Sequence, residues 1–191
     1  MLHQRLPHFG DTGTLQFVTW RVADSLPRDV LEEFLADPDR TSDIAAVKRW
    51  QTALDQGLGN CPFREPANAA ILRDAFRFFN GERYELVAWV IMPNHVHALL
   101  NLNRGYDLGT IVHSLKRHSA ILLNRRLGRS GQFWQKDYFD TYIRDQLHAD
   151  RCIAYIHRNP VEAGLVIDPI EWEFSSARGW VDLWGRDWPG F

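Results

Sequence analysis

The sequence predicts an α+β fold, a ferredoxin-like sandwich in which helices pack on a largely antiparallel sheet. Three observations predict it. The elements read in order as strand, helices, strand, strand, helix, strand and helix, a mixture that suits one sheet covered by helices. The two best strand signals are joined by Pro93-Asn94, a short turn of the kind that links antiparallel neighbours. Both of those strands are apolar nearly throughout, as strands buried on both faces are.

Each element has its own local reason. Thr14 to Val22 (TLQFVTWRV) is rich in β-branched and aromatic residues and lies between Gly13 and Asp24, which makes it the first strand. Asp24 to Arg64 is polar and punctuated by Pro27, Pro38, Gly57 and Gly59. It reads as a helical insertion with short helical patterns over Asp29 to Ala36 and Ser42 to Asp55. Pro66 suits the first turn of a helix through Phe79, carrying Ala70, Ile71, Ala75, Phe78 and Phe79 at helical spacings and stopped by Asn80-Gly81. Arg83 to Met92 and His95 to Leu102 form the hairpin.

Tyr106 to Leu127 is helical by the spacing of Leu108, Ile111, Val112, Leu115, Ile121 and Leu122, with Gly128 as its stop. A strand is expected around Tyr138 to Ile143. The last helix is expected from Asp145 to about Arg158, because a residue before proline disfavours the α region and Pro160 follows Asn159. The tail at about 168–191, with Trp172, Trp180, Trp184 and Trp188, reads as irregular chain that packs over the domain or presents stacking rings.

With 191 residues and 45% hydrophobic content, the chain is expected to form a single domain over 1–191. The N-terminus has no apolar stretch of signal-peptide length and no run approaches a membrane span, so a cytoplasmic protein without a membrane partner is expected. Cys61 and Cys152 lie outside any CxxC spacing, which argues against a disulfide framework or a cysteine zinc site. A net charge of −2 does not advertise a nucleic-acid binder. The charge is uneven, however: His113 to Ser130 holds Lys116, Arg117, Arg125, Arg126 and Arg129 and no acid. That stripe suits phosphates, although a solvated helix face explains it equally and more often.

The chemistry-bearing residues fall in two places. On a strand, His95 and His97 project from one face while Val96 turns to the other, a geometry able to clamp a divalent metal that still needs a third ligand. A bare His-x-His pair is more commonly packed or surface histidine. On the last helix, Tyr155 and Asn159 are four apart and share a face, with His148, Arg151 and Cys152 on neighbouring turns. Tyrosine can serve as a covalent nucleophile and an amide oxygen as a metal ligand. Spacing alone favours the plainer alternative, in which Tyr155 packs and Asn159 caps the helix.

Three strings in this order, AWVIMPNHVHALLNL, SGQFWQKDYFDTYIRD and YIHRNPVEAGLV, together with FVTWRVADSLP, resemble the tyrosine transposases of the IS200-like family, most of all the branch associated with repetitive extragenic palindromes (REP). The resemblance covers roughly residues 14–178. It implies that His95-Val96-His97 is the metal-binding HUH motif, that Tyr155 is the single catalytic tyrosine, and that Asn159 is the third metal ligand where other members carry glutamine.

The implied cofactor is Mg²⁺ or Mn²⁺, acting as a Lewis acid on the scissile phosphate. The implied reaction is attack by Tyr155 to leave a 5′-phosphotyrosine and a free 3′-hydroxyl, from which another strand can be joined without ATP. The implied partner is single-stranded or hairpin DNA carrying palindromic repeats, bound by a monomer or a homodimer. Lys116, Arg117, Arg125 and Arg126 would then meet phosphates, and Phe133, Trp134 and Tyr138 would stack on unpaired bases, although rings like Phe133 and Trp134 more often anchor a loop. Asp137 and Asp140 read as structural, and His118 and His157 as surface residues. The alternatives are a non-cleaving nucleic-acid-binding regulator on the same fold and a hydrolase that activates water at His95 and His97.

Overall fold

In a computed structural model, the structure describes residues 14–26, 32 and 52–178. All but residue 32 of the helical pattern expected over 29–36 and most of that over 42–55 lie outside the described residues, as do Trp180, Trp184 and Trp188; residues 32 and 52–55 are helical. The elements are β1 (Leu15–Arg21), α1 (Pro66–Phe79), β2 (Tyr84–Ile91), β3 (His95–Leu102), α2 (Leu108–Arg126), β4 (Phe139–Tyr142) and α3 (Gln146–Glu162). The sheet runs β2-β3-β1-β4 with every pairing antiparallel, so β1 and β3 are central and the α+β, ferredoxin-like expectation holds.

Strand alternation sorts the side chains into two cores. Val18 and Trp20 of β1, Val22 just after it, and Val96, Ala98, Leu100 and Leu102 of β3 face α1 and α2. Phe17 of β1, Val90 of β2 and Leu99 of β3 face Ala149, Ile153 and Ile156 of α3. Each such Val, Leu or Ile contributes about 1.5–3 kcal/mol by leaving water. Being sandwiched between these layers is why the hairpin strands are apolar on both faces.

Side-chain caps start two of the helices. Asp107 accepts from the Thr110 N–H at 2.9 Å, and Asp145 accepts from the His148 N–H at 2.8 Å. The core stripe of α1 is Ala69, Leu72, Ala75 and Phe76, whereas Phe78, expected on that stripe, is 75% exposed. Among the described residues no helix is long and apolar enough to cross a membrane.

The helix α3 departs from expectation by running through Pro160 to Glu162. Proline removes one N–H and strains one turn, yet here it lies in the last turn, where little helix remains to break. The end is closed by the Ala163 N–H donating to Asn159 O and the Leu165 N–H to Pro160 O, both at 2.9 Å. Asn159 is therefore inside the helix and does not cap it.

The start of the tail packs over the domain. The Ile91 N–H donates to Phe174 O at 2.8 Å, the Ser176 N–H donates to Trp89 O at 2.9 Å, and the Trp172 indole donates to Ile91 O at 3.1 Å. These bonds cover the outer edge of β2, which would otherwise be an open template for another strand.

Candidate active site

The two histidines stand on a central strand, facing α3, and each has its inner ring nitrogen held. His97 Nδ1 lies 2.7 Å from Thr19 Oγ1, directly across the β1–β3 register. His95 Nδ1 lies 2.7 Å from Asn94 Oδ1. The Asn94 amide group is itself oriented, because its Nδ2 donates to Ser25 O at 3.2 Å. Asn94 Oδ1 can only accept, so His95 Nδ1 is the donor in that bond and Nε2 is the ring nitrogen turned outward.

That nitrogen points into a group of electron-rich atoms. His95 Nε2 is 3.0 Å from His97 Nε2 and 3.2 Å from Asp55 Oδ1, and the three donor atoms lie within 4.8 Å of one another. His95 and His97 are buried. Burial, and then the neighbouring His95, hold His97 well below the usual histidine range, so it is neutral. A carboxylate oxygen facing imidazole lone pairs at such distances is repulsive unless a proton or a cation lies among them.

Adjacent ligands of an octahedral Mg²⁺ at 2.0–2.1 Å stand about 3 Å apart, so the spacings of 3.0 and 3.2 Å fit a hard divalent cation. A second observation agrees. Asn159 is fully buried, its Nδ2 lies 3.4 Å from Asp55 Oδ1, and its Oδ1 has no hydrogen-bond partner among the described residues. Turning that amide group over would offer an oxygen to the cluster. The residues present therefore fit a metal.

Asp55 was not singled out in the sequence, where it closes a polar stretch of several acids with no regular spacing to the histidines. Its placement depends on the loop that follows it. Leu54 is buried, Gly57 takes a left-handed φ of 62°, the Asn60 N–H donates to Asp24 O at 2.9 Å, and the Phe63 N–H donates to Pro93 O at 3.0 Å. Gly59 lies so close to the chain after β1 that a Cβ there would be 2.4 Å from the Ser25 carbonyl carbon. Thr19 is a second residue of the site without a motif of its own. The available signal was its hydroxyl, with Gln16 and Arg21, in a strand otherwise buried and apolar.

Tyr155 comes from α3, half-buried, with its hydroxyl 3.4 Å from His97 Nε2. Phe17 stacks on His97 at 5.7 Å and meets Tyr155 edge-on at 6.0 Å, which fixes both rings. Burial first, then the charges of Asp55 and Glu162, push the Tyr155 hydroxyl far above the ordinary tyrosine range. As it stands the phenol is protonated, and a cation at Asp55 and the histidines would offset both causes of that shift. The structure thus brings His95, His97, Tyr155 and Asn159 together and adds Asp55.

The residues expected to contact DNA are dispersed. Lys116 is turned inward: its ammonium donates to Gln135 O at 2.6 Å and Lys136 O at 2.8 Å, and burial pulls its pKa down to about 8. This corrects its reading as a phosphate contact, since those carbonyls already use its protons. Phe133 and Trp134 are likewise core residues, 1% and 4% exposed, with Trp134 stacked on Phe63 at 5.5 Å and its indole donating to Ser119 Oγ at 3.0 Å. Their rings cannot stack on bases from there.

Arg117, Arg125 and Arg126 are exposed, Arg126 donating to Asn68 Oδ1 of α1 at 3.0 Å. A cavity of about 490 Å³ between α2 and residues 131–138 is lined by His113, Arg117, Lys136 and Tyr138 among others, and by no acid. It lies on the sheet face opposite the histidines. His118 is exposed as expected, but His157 is fully buried and bonds Ser176 Oγ at 2.8 Å.

Comparison with known proteins gives four findings. Residues 70–159 match the family model described as "Transposase IS200 like", a stretch that holds His95, His97, Tyr155 and Asn159 but not Asp55. A Haemophilus influenzae protein provisionally named a REP-associated tyrosine transposase is 30% identical over 119 residues, covering 56% of this chain and 68% of that protein. The REP-associated tyrosine transposase of Escherichia coli K12 is 30% identical over 116 residues, covering 56% of this chain and 64% of its own length. Among solved structures, one described as a REP-associated tyrosine transposase bound to a REP hairpin aligns with a TM-score of 0.60 at 20% identity, over 98% of this chain and 92% of that one, a likeness of fold.

Proposed function

The chain belongs to the IS200-like transposase family, in the branch of REP-associated tyrosine transposases, and on that premise we propose that it cuts and rejoins single-stranded, hairpin-bearing DNA through a covalent bond to Tyr155. The observation that carries the reading is the Tyr155 hydroxyl 3.4 Å from His97 Nε2, in a cluster with His95 and Asp55 that fits a divalent cation.

His95, His97 and Asp55 would hold Mg²⁺ or Mn²⁺, with Asn159 Oδ1 as a further ligand. Such an ion supplies Lewis-acid neutralisation of the scissile phosphate and of the phenolate. The protein's own residues supply the rest. Thr19 and Asn94 keep the imidazoles turned, as supporting partners of metal ligands do. Phe17 packs the Tyr155 ring against His97, so the nucleophile is held before the substrate arrives. The Tyr155 hydroxyl gives up its proton to solvent as its oxygen forms a bond to phosphorus and the bond to the 3′-oxygen breaks, and that leaving oxygen takes up a proton from solvent to become a 3′-hydroxyl, so protons balance. Attack by another strand's 3′-hydroxyl reverses the exchange and frees Tyr155.

Arg117 and Arg125 would steer the duplex part of the DNA on the opposite sheet face, giving salt-dependent affinity. Palindromic chromosomal repeats are the proposed substrate, a single domain the proposed unit, and the cytoplasm the proposed site of action. The test is incubation of the chain with hairpin-bearing single strands and Mn²⁺. A protein-linked 5′ strand and a free 3′-hydroxyl are expected. One specific observation favours a second reading: Asp55 beside the histidines also suits activation of water, and products carrying no protein-linked phosphate would select that hydrolase.

A further inference from the structure

Arg21 is the last residue of β1 and pairs with His95 in the β1–β3 register, so its side chain leaves the sheet on the face that carries the histidines. It is 4% exposed. One nitrogen, Nη1, donates to Ser25 Oγ at 3.1 Å and more weakly to Val22 O at 3.4 Å. Among the described residues no carboxylate pairs with it, and burial alone lowers its pKa to about 10.

A buried guanidinium without a counter-ion is expensive, and proteins that keep one usually have an anion for it. Lys116, a partly buried cation, is satisfied by backbone carbonyls and needs none. Arg21 has two neutral acceptors for five donors, in a planar fork whose shape matches phosphate oxygens. The anion that would come to this face is a DNA backbone.

We propose that Arg21 forms an anion subsite beside His95, taking a phosphate of the DNA strand that runs to Tyr155. The assignment rests on the proposed function only in naming the anion as DNA; the subsite itself would accept any accessible phosphate. It also explains why the chain after β1 is so closely tied down. Ser25 Oγ accepts from Arg21, Ser25 O accepts from Asn94, and Asn94 holds His95, so the phosphate seat and the metal ligand share one rigid frame.

That frame poses the competing role, in which Arg21 merely positions His95. The experiment measures inorganic phosphate affinity without metal, Mn²⁺ affinity without phosphate, and the rate of covalent adduct formation on a hairpin-bearing oligonucleotide. It uses the full chain and its Arg21→Gln, Arg21→Lys and Arg77→Gln variants. The subsite predicts that Arg21→Gln weakens phosphate binding at least about tenfold, the loss of a charge-assisted contact. It also predicts slower adduct formation with Mn²⁺ affinity unchanged. Arg21→Lys, which keeps the charge and covers the case in which Arg21→Gln does not fold, should lose the bidentate part of the phosphate affinity. Arg77→Gln, at an exposed arginine of α1 outside both the histidine site and the cavity beside α2, should keep it.

Phosphate affinity that is equal in wild type and Arg21→Lys or Arg21→Gln overturns the proposal. So does a fall in Mn²⁺ affinity that accounts for the slower adduct. If the wild type forms no adduct while its phosphate binding depends on Arg21, the subsite stands and the cleavage reading fails.

Discussion

His95 and Asp55 meet at 3.2 Å, ring nitrogen to carboxylate oxygen, although one lies on a central strand and the other precedes the first helix of the sandwich. Their approach gives the site its negative end, and it has a cost that a cation would remove. Without one, Asp55 also holds the Tyr155 proton on. The carboxylate therefore links the metal site to the nucleophile.

Asp55→Asn keeps the shape of the site and removes the charge. Mn²⁺ affinity, measured by titration calorimetry, should fall by at least about 10- to 100-fold, the loss reported even for residues that only support ligands. Adduct formation should fall with it and recover in part at high Mn²⁺. Unchanged affinity would remove Asp55 from the ligand set.

Gly59→Ala should act on the same site from a distance. A Cβ 2.4 Å from the Ser25 carbonyl carbon forces the backbone apart. We expect a loss of about 1–3 kcal/mol in urea unfolding, as for other overpacked positions, with weaker Mn²⁺ binding as Asp55 is displaced.

Lys116 and Arg117 are neighbours in sequence with different tasks. Lys116→Met should lower stability by about 1–3 kcal/mol, because the Gln135 and Lys136 carbonyls lose their donor, and should leave the salt dependence of DNA binding unaltered. Arg117→Gln should leave stability unaltered and flatten the slope of log affinity against log salt by about one.

His157 sets a pH dependence. Burial lowers it from 6.5 to about 4, so the unfolded chain takes up this proton more readily than the folded one. Its stabilising contribution is complete above pH 6.5 and is lost as pH falls from 6.5 towards 4, a change on the order of 3 kcal/mol. Urea midpoints across this window should fall with pH. His157→Gln should flatten the fall, while an equal slope in both proteins would assign it to other groups such as His97.

The sequence carried most of the fold because most of it is written locally. The β-branched and aromatic run TLQFVTWRV, the Pro93-Asn94 turn and the Pro66 start each mark an element that the structure contains. The end of α3 was missed because Pro160 was weighed by its usual effect, without the tertiary packing that buries it in a last turn. At the candidate site, His95 and His97 were legible because strand period alone puts them on one face, and Tyr155 with Asn159 through helix period. Asp55 and Thr19 were not, because they arrive by loop closure and strand register, which no short window of sequence displays. Lys116 departs from its reading as a phosphate contact for a related reason, because a cation in a polar stretch looks exposed until the loop that buries it is known, whereas Phe133 and Trp134 anchor their loop to the core, the commoner place for such rings.

The claim that Tyr155 is the nucleophile of a metal-assisted strand cleavage is tested most directly by mass spectrometry of the chain after reaction with a hairpin-bearing single strand and Mn²⁺. The account predicts a nucleotide-modified peptide containing residues 152–158, with the phosphate on Tyr155, absent when chelator is added and absent in Tyr155→Phe, which should still bind the DNA. An adduct on another residue, or the same adduct formed by Tyr155→Phe, would contradict it.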